Sequence, residues 1–249
     1  MSGQPHTPPA RVGDVLALIL GTDQDWLPLP DRLCAECVRR LDVDGAGLIL
    51  INDQDNLGIV AVTEGPAARI EELQFATGEG PCVDAARTGR PVLQPDLHDT
   101  AVARWPGFGV EVLTTDVRAI FAFPLQIGAI RIGVLDLCRD APGHLTQAQL
   151  SDALTLAEAA TLILLQLQDR PHGDGVHPMI DSVDNHAIVH QATGMIAIQL
   201  GVSLAESLLR LRAHAYASEL SMAAIAADVV NRKTRFDDSE GGTSLPHEQ

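Results

Sequence analysis

The feature that most constrains the fold of this chain is a change in hydrophobic periodicity at Thr146. Every short apolar run typical of a buried strand precedes this residue, whereas helical spacing dominates after it. A segment that mixes strands with helices, followed by a purely helical segment, predicts two folding units. The strand-like runs lie at residues 46–51, 57–62, 91–94, 119–125 and 130–137.

The order of elements before Thr146 predicts an antiparallel-dominated α+β sandwich. A helix is expected at Asp31–Leu41, and residues 52–56 are turn formers between two strands. Pro66–Arg90 is helical in composition but interrupted by Gly and Pro, which indicates two short helices around a loop. Residues 96–112 are expected to be irregular. The resulting order is helix, two strands, helices, one strand, loop and two strands. A doubly wound parallel sheet does not have this order.

A long connecting helix is predicted over residues 146–170. Thr146 and Gln149 form a capping box at its start, and Pro171 ends it. Its apolar stripe can pack on the sheet or form a dimer seam, and the spacing alone allows both.

Three short helices are predicted between residues 179 and 236. The first starts at Asp181 or Ser182, the second opens with the capping box Ser203 to Glu206, and Ser221 caps the third. So few residues bury little apolar surface by themselves, so we expect a homodimer.

These signals divide the chain into five segments. They are an N-terminal segment 1–30 that is partly helical or disordered, a sensor domain 31–170 including the helix 146–170, a linker 171–178, a helical domain 179–236, and a disordered acidic tail 237–249.

Charge is distributed unevenly along the chain. The formal net charge is −16, and residues 1–176 hold 24 acidic and 12 basic side chains. Residues 177–236 hold five of each, together with four histidines. The C-terminal helical region is therefore the part whose charge is compatible with a polyanion.

The absence of targeting signals and the placement of the cysteines both indicate a cytoplasmic protein. The start of the chain lacks a leader pattern, and no apolar stretch is long and continuous enough for a membrane, so we expect a cytoplasmic protein without a membrane partner. Four irregularly placed cysteines fit a reducing compartment. Cys34 and Cys37 have the spacing of a metal or redox pair, but no second Cys/His pair accompanies them, so burial is the favoured interpretation and no metal site is predicted.

Two groups of motifs resemble known families. Gly78-Glu-Gly-Pro-Cys82, Arg104-Trp-Pro-Gly-Phe108 and Ile132-Gly-Val-Leu-Asp-Leu137 resemble a GAF domain, in particular the bacterial GAF domains that precede an ANTAR domain. His190-Gln-Ala-Thr-Gly-Met195, with Gly201-Val-Ser-Leu-Ala-Glu206, is similar to ANTAR itself. The resemblance implies a GAF sandwich, a long helix and a three-helix ANTAR domain that dimerises and binds paired RNA hairpins to control transcription termination.

The ANTAR resemblance implies a set of RNA-binding candidates that are basic, small or aromatic. Thr193 stands where that family usually has lysine, which would weaken or alter RNA binding, and close helix approach is the simplest explanation for Gly194. Tyr216 and Phe236 are the two aromatic residues between residues 179 and 236. The basic run 232–235 has a second interpretation, as cations that complement a helix C-terminus in solvent. The candidates are Arg210, Arg212, Arg232, Lys233, Arg235, Thr193, Gly194 and Tyr216.

A small-molecule pocket in the GAF part is the other implied site. Core packing of the aromatic residues and solvated salt bridges of the charged ones are the alternative interpretation. No cofactor or ligand is identified. The candidate lining residues are Trp105, Phe108, Arg118, Phe121, Phe123, Asp136 and Cys82.

Enzyme activity is not expected, because the chain has no phosphate-binding glycine loop, nucleophile elbow, HExxH or paired catalytic carboxylates. Cys82 follows Gly-Pro at a predicted helix start, so a thiol-based GAF reductase stays as a minor alternative. The larger alternative is a protein-interaction module that has lost RNA binding.

Overall fold

A computed structural model describes residues 11–21, 27–51, 57–168, 180–218 and 220–236, although the side chains of 168, 180–187, 190 and 205 are excluded. The chain forms two compact units, residues 1–176 and 177–249. The predicted linker 171–178 and acidic tail 237–249 lie outside the described residues.

The first unit is an α+β structure around one five-stranded antiparallel sheet. The strands are β1 (Gly45–Ile51), β2 (Leu57–Val62), β3 (Val92–Gln94), β4 (Ala119–Ile127) and β5 (Ile130–Arg139), in the order β2-β1-β5-β4-β3. The two predicted hairpins are therefore present, and they meet in the middle of the sheet where β1 pairs with β5. Bulges shift the register at Leu48/Ile49 and at Leu125/Gln126.

Helices cover both faces of this sheet. They are α1 (Val12–Leu20), α2 (Leu29–Leu41), α3 (Pro66–Thr77), α4 (Pro81–Thr88), α5 (Leu97–Arg104), α6 (Pro106–Val112) and α7 (Gln147–Gln168). One core joins the sheet to α1, α2 and α7, and a second joins the opposite face to α3, α4, α5 and α6. Side chains alternate between these cores along each strand, as the period of two requires.

The segment expected to be irregular, residues 96–112, instead contains the two short helices α5 and α6. Asp96 caps α5 by accepting a hydrogen bond from the amide of His98, and Pro106 occupies the first turn of α6. An N-cap aspartate and an N1 proline are helix-start signals that outweigh the surrounding glycines.

Helix α7 begins as predicted and packs on the sheet. The Thr146 hydroxyl accepts from the Gln149 amide at 3.2 Å, and the Gln149 side-chain oxygen accepts from the Thr146 amide at 2.9 Å. By length and composition, residues 147–167 are the one described helix that could cross a membrane. Its apolar stripe, however, lies within the first core through Ala153, Ala160 and Leu164.

The second unit consists, over its described residues, of α8 (Ile180–Leu200), α9 (Leu204–Ala217) and α10 (Met222–Val230). Ser203 and Ser221 cap α9 and α10 through the amides of Glu206 and Ala224, as the sequence predicts. Each helix contacts the other two. Their shared core combines larger aliphatic side chains, such as Ile196, Leu211 and Ile225, with small ones, among them Ala192, Ser207, Ala215 and Ala226.

Candidate functional site

The most unusual feature of the first unit is a cluster of buried acids beneath the sheet. Glu71 of α3, Cys82 of α4 and Asp136 of β5 place their potential ligand atoms within 4.8 Å of one another. All three side chains are buried, and Asp136 is 3% exposed. Isolated carboxylates are strongly disfavoured in such surroundings, so this arrangement requires a compensating partner.

Gln74 of α3 connects the members of this acid cluster. Its Nε2 donates to Asp136 Oδ2 at 2.8 Å and lies 3.4 Å from both Glu71 oxygens, while its Oε1 accepts from the Cys82 amide at 2.7 Å. One amide thereby fixes the start of α4 against α3 and β5.

Asp136 Oδ1 is left without an N–H donor. It is buried and accepts from no amide or amine group, and besides Gln74 the groups that interact with this carboxyl are two acids, Glu71 and Cys82. Either acid can satisfy the oxygen only by keeping its own proton. The described residues therefore leave the cluster dependent on a proton or on a cation.

The electrostatics of the cluster follow from this burial. Desolvation raises the pKa of Asp136 to about 6, although hydrogen bonds from Glu71, Gln74 and Cys82 act to lower it. Burial, and then the nearby charge of Asp136, raise the pKa of Glu71 well above its usual value. Burial also raises the pKa of the Cys82 thiol, with Asp136 and Glu71 adding to the effect. The neutral forms of Glu71 and Cys82 are therefore favoured, whereas Asp136 is ionised above about pH 6.

Two glycines make room for these side chains. A Cβ on Gly47 of β1 would lie 3.2 Å from Glu71 Oε1, and one on Gly80 would lie 2.6 Å from Gln74 Oε1. Gly80 also has a φ of 131°, which L-residues rarely adopt. Close approach of the backbone to the polar cluster therefore requires glycine at residue 80.

Carboxylates on α4 and the preceding loop hold the corner between α5 and α6. Asp84 accepts from Trp105 Nε1 at 3.1 Å and from Arg104 at 2.9 Å. Glu79 accepts from the amides of Gly107 and Phe108 at 2.8 and 3.3 Å, where the first amides of α6 lack helical acceptors. Trp105 and Phe108 are therefore packed and tethered in the second core.

The structure does not bring the seven predicted lining residues together. Trp105, Phe108 and Cys82 belong to the second core, whereas Phe121 and Phe123 lie on the other face of the sheet, in the first core. Phe121 and Phe123 are two positions apart on β4 and therefore point to the same face, which is not the face that packs against Trp105 and Phe108. The expectation that they share one lining with those residues is wrong.

Arg118 precedes β4 and pairs with the helix cap of α5. Its guanidinium contacts the Asp96 carboxylate at 3.0 Å, while its Nε is buried without a partner. Although desolvation opposes the change, the His98 amide and Arg118 lower the pKa of Asp96.

Cys34 and Cys37 are completely buried in the first core. Burial is the main cause that raises the pKa of both thiols. The charge of Cys37 raises the pKa of Cys34 further, and the charge of Glu36 does the same for Cys37. Within the described residues they belong to no group of three potential metal ligands.

The second unit presents cations after its last helix. Arg232 follows α10 with a φ of 59°, its amide bonds to the Val229 carbonyl at 3.0 Å, and the Lys233 amide bonds to the Asp228 carbonyl at 2.8 Å. This is a Schellman motif with arginine where glycine is usual. Arg232, Lys233 and Arg235 are all exposed.

The end of this basic segment is held in place. The Phe236 amide donates to Gln199 Oε1 at 3.0 Å, and its ring packs edge-on against His214 with centroids 5.3 Å apart. Phe236 is thus a packing residue, and Tyr216, which is 85% exposed, is the aromatic side chain accessible on α9. Lys233 lies 3.5 Å from Asp228 but remains 71% exposed.

The remaining basic candidates differ from one another. Arg210 pairs with Glu206 one turn earlier on α9, at 3.0 Å. Arg212 is partly buried, and desolvation lowers the pKa of its guanidinium.

Thr193 and Gly194 differ from the sequence expectations. Thr193 is 5% exposed, and its hydroxyl donates to the Val189 carbonyl at 2.7 Å, so this side chain faces the unit's own core and not its surface. A Cβ on Gly194 would meet nothing within 4 Å. Close helix approach within this unit therefore does not explain Gly194.

Sequence reasoning missed Glu71 and Gln74. Ala67, Ile70, Glu71 and Gln74 follow the helical spacing of one buried face, so two polar residues occupy positions where apolar ones are expected. That mismatch was the available signal, but only the fold shows that it meets Cys82 and Asp136.

Comparison with known proteins places the first unit. The family model of the GAF domain matches residues 29–164. Among solved structures, the GAF domain of an Acinetobacter phosphoenolpyruvate-protein phosphotransferase is 12% identical with a TM-score of 0.49, and the match covers 66% of this chain and 95% of that chain. No curated protein matches.

Two further solved structures match this chain with similar sequence identity. The GAF domain of a two-component sensor histidine kinase from Bacillus halodurans is 14% identical, with a TM-score of 0.41 and coverage of 55% of this chain and 95% of that one. A type II free methionine-R-sulfoxide reductase from Thermoplasma acidophilum is 13% identical, with a TM-score of 0.42 and coverage of 55% and 89%.

Proposed function

The chain belongs to the GAF domain family through residues 29–164, a family typical of small-molecule sensing in regulators, and from this premise we propose a signal-responsive regulator of transcription termination. In this proposal the GAF domain senses a small molecule or a redox change. The C-terminal unit is an ANTAR domain that binds hairpins in leader RNA. The protein acts in the cytoplasm as a homodimer.

The observation that carries the RNA proposal is the set of exposed cations on the segment that follows α10. Arg232, Lys233 and Arg235 are exposed, and the contacts of Phe236 with Gln199 and His214 hold the segment against the unit. A fixed group of cations suits phosphate better than a mobile tail, because less conformational entropy is lost on binding. The segment lies in the region 177–236, which has equal numbers of acidic and basic side chains. The excess of acidic side chains lies in the sensor unit and not in the region that holds these cations.

Tyr216 provides the second element that RNA recognition needs. Unstacked bases of RNA loops bind by stacking on aromatic side chains, whereas phosphates bind cations. At 85% exposure, the Tyr216 ring contributes little to the core of the unit and is accessible to a base.

A matched pair of triple variants tests this proposal. The first replaces Arg232, Lys233 and Arg235 by Ala; the control replaces Arg11, Arg69 and Arg90, three exposed arginines of the sensor unit. Both remove three positive charges. Binding of a leader RNA with two tandem hairpins is then measured over a series of salt concentrations.

We expect the first variant to lose RNA retention and the control to keep it. The slope of log affinity against log salt should fall by about one for each phosphate contact removed. Equal losses in both variants would indicate only a net-charge effect, and retained binding in the first variant would contradict the proposal.

A protein-interaction output is the second candidate, and exposed apolar side chains favour it. Ile198 is 86% exposed, and Leu209, Tyr216 and Leu220 are also exposed on or just after α9. If this candidate is correct, the triple Ala variant keeps all partner binding, and Leu209→Ser abolishes it.

The thiol reductase alternative has the weakest support. Cys82 is buried, and its pKa is raised, whereas a catalytic thiol needs exposure and a stabilised thiolate. Slow alkylation of Cys82 in the folded protein is the result expected if this thiol is not a nucleophile.

A further inference from the structure

Three acid groups from distant parts of the sequence converge beneath the sheet, and no base lies beside them within the part of the chain that the structure describes. Glu71, Cys82 and Asp136 come from α3, α4 and β5, and their potential ligand atoms all lie within 4.8 Å of one another. The sequence predicts no metal site because these residues share no ligand motif. The fold alone brings them together.

We propose that this Glu71–Cys82–Asp136 cluster is a binding site for a thiophilic divalent cation of the zinc class. Zinc binds thiolate sulfur at about 2.3 Å and carboxylate oxygen at about 2.0–2.2 Å, so tetrahedral ligands lie about 3.5 Å apart. The separations of at most 4.8 Å exceed that distance by about 1 Å, so the three side chains would move closer together on binding the metal.

An independent observation identifies the atom that faces the cation. Asp136 Oδ2 already accepts from Gln74 Nε2, whereas Asp136 Oδ1 is buried without a partner. A buried carboxylate oxygen without a donor is costly, and coordination to a cation is one of the few ways to satisfy it. Oδ1 is therefore the Asp136 oxygen left available to a cation.

The charges of the cluster also call for a cation. With its acids ionised it would hold three negative charges, and among the described residues the groups that act on it are Gln74 and the three acids themselves. A dication offsets two of those charges in place of protons. Binding would release the protons of the Cys82 thiol and of the Glu71–Asp136 pair to solvent, so affinity should rise with pH.

The ligand types select the metal. One thiolate with two carboxylates suits zinc better than magnesium or calcium, which prefer oxygen ligands alone. Zinc sites with three protein ligands keep a fourth position for water or a small ligand. Gln74 serves as a supporting residue, because it orients Asp136 and the start of α4 without being a ligand itself.

The inference goes beyond the proposed function, and its test contains no RNA. The full chain is reduced, treated with chelator, dialysed and titrated with Co²⁺ while near-ultraviolet absorption is recorded. Zinc affinity is then measured by competition with a chromophoric chelator. We expect one equivalent of Co²⁺ with thiolate-to-cobalt charge-transfer absorption.

Matched cysteine variants locate the site. Cys82→Ser should abolish the absorption and weaken zinc binding by about 100-fold or more, whereas Cys34→Ser, in the core on the opposite face of the sheet, should change neither. Gln74→Met should cost about 10- to 100-fold in zinc affinity. If Cys82→Ser does not fold, Glu71→Gln replaces it, because the amide has nearly the same shape as the carboxyl group.

Either of two results overturns the proposal. One is the absence of cobalt–thiolate absorption in the folded wild-type chain. The other is absorption that survives Cys82→Ser, which would assign the metal to a different thiol such as the Cys34/Cys37 pair, or, where Glu71→Gln takes its place, a zinc affinity that this variant leaves unchanged.

Discussion

The two units of this chain treat charge in opposite ways. The GAF unit buries Glu71 and Asp136 in its second core and pairs several of its arginines with carboxylates, as in Arg104–Asp84. The C-terminal unit buries small and apolar side chains and exposes the cations at Arg232–Arg235. Interactions of the first unit are therefore expected to be internal, while those of the second are expected at its surface.

This contrast also separates stability from function. Removal of a buried group changes the free energy of unfolding, whereas removal of an exposed one mainly changes binding. Substitutions in the two units should consequently affect different measurements.

Phe108→Ala should give the largest loss of stability. Phe108 is fully buried in the second core, and such a truncation costs about 3–5 kcal/mol in the free energy of unfolding. Urea unfolding followed by tryptophan fluorescence reports on this unit, because both tryptophans lie before residue 177. Tyr216→Ala, which removes an exposed ring of the other unit, should stay within about 0.5 kcal/mol in unfolding followed by circular dichroism. A similar loss in the free energy of unfolding for Phe108→Ala and Tyr216→Ala would contradict the difference between the two units.

The buried acids predict an unusual dependence of stability on pH. Folded Asp136 keeps its proton up to about pH 6, whereas an unfolded aspartate releases it near pH 4. Between these values the folded state binds more protons, so the free energy of unfolding should fall as pH rises, by up to about 1.4 kcal/mol per pH unit for one proton.

Glu71→Gln should reduce this pH dependence, because the amide permanently supplies the hydrogen-bond donor that a protonated Glu71 offers to Asp136. The measurement is urea unfolding in chelator from pH 4 to pH 7, with Glu72→Gln as an exposed control on the same helix. A wild-type stability that rises over this range would contradict the account.

Arg232→Gly should separate stability from binding within one residue. Arginine at a φ of 59° is strained by about 1 kcal/mol, and glycine adopts this conformation without cost. The variant should therefore raise the midpoint of thermal unfolding of the C-terminal unit, measured by circular dichroism, while lowering RNA affinity. Unchanged RNA affinity would remove Arg232 from the proposed interface.

Gly194→Ala should give the smallest effect, a stabilisation of about 0.5–1 kcal/mol. A Cβ there meets no atom within 4 Å, and alanine is the better helix former. Thermal unfolding measures the gain. Lost RNA binding in this stabilised variant would indicate that the surface at residue 194 contacts RNA or a second copy of the chain.

Much of the fold could be predicted from the sequence because local signals were strong. The predicted runs 46–51 and 57–62 correspond to β1 and β2, and the Ser203 and Ser221 caps begin α9 and α10. Turn residues and N-caps act within a few positions, so they can be recognised without tertiary context. Within the described residues, α5 and α6 replace the irregular segment expected over residues 96–112, because the Asp96 cap and the proline at residue 106 start helices there.

The candidate site could not be predicted in the same way. Glu71 and Asp136 are 65 positions apart and become partners only through the pairing of α3 with the sheet. Phe121 and Phe123 were grouped with Trp105 because all are aromatic, although the sheet separates them. Thr193 appeared to be a surface position in a motif, yet its hydroxyl turns back to Val189. Contacts of high sequence separation leave no local pattern.

Crosslinking of the protein to RNA in cells, followed by sequencing of the bound transcripts, tests the central claim most directly. We expect enrichment of leader regions with two tandem hairpins for the wild type, and loss of that enrichment when Arg232, Lys233 and Arg235 are replaced by Ala. A wild-type protein that recovers no RNA, or the same transcripts from both proteins, would contradict it.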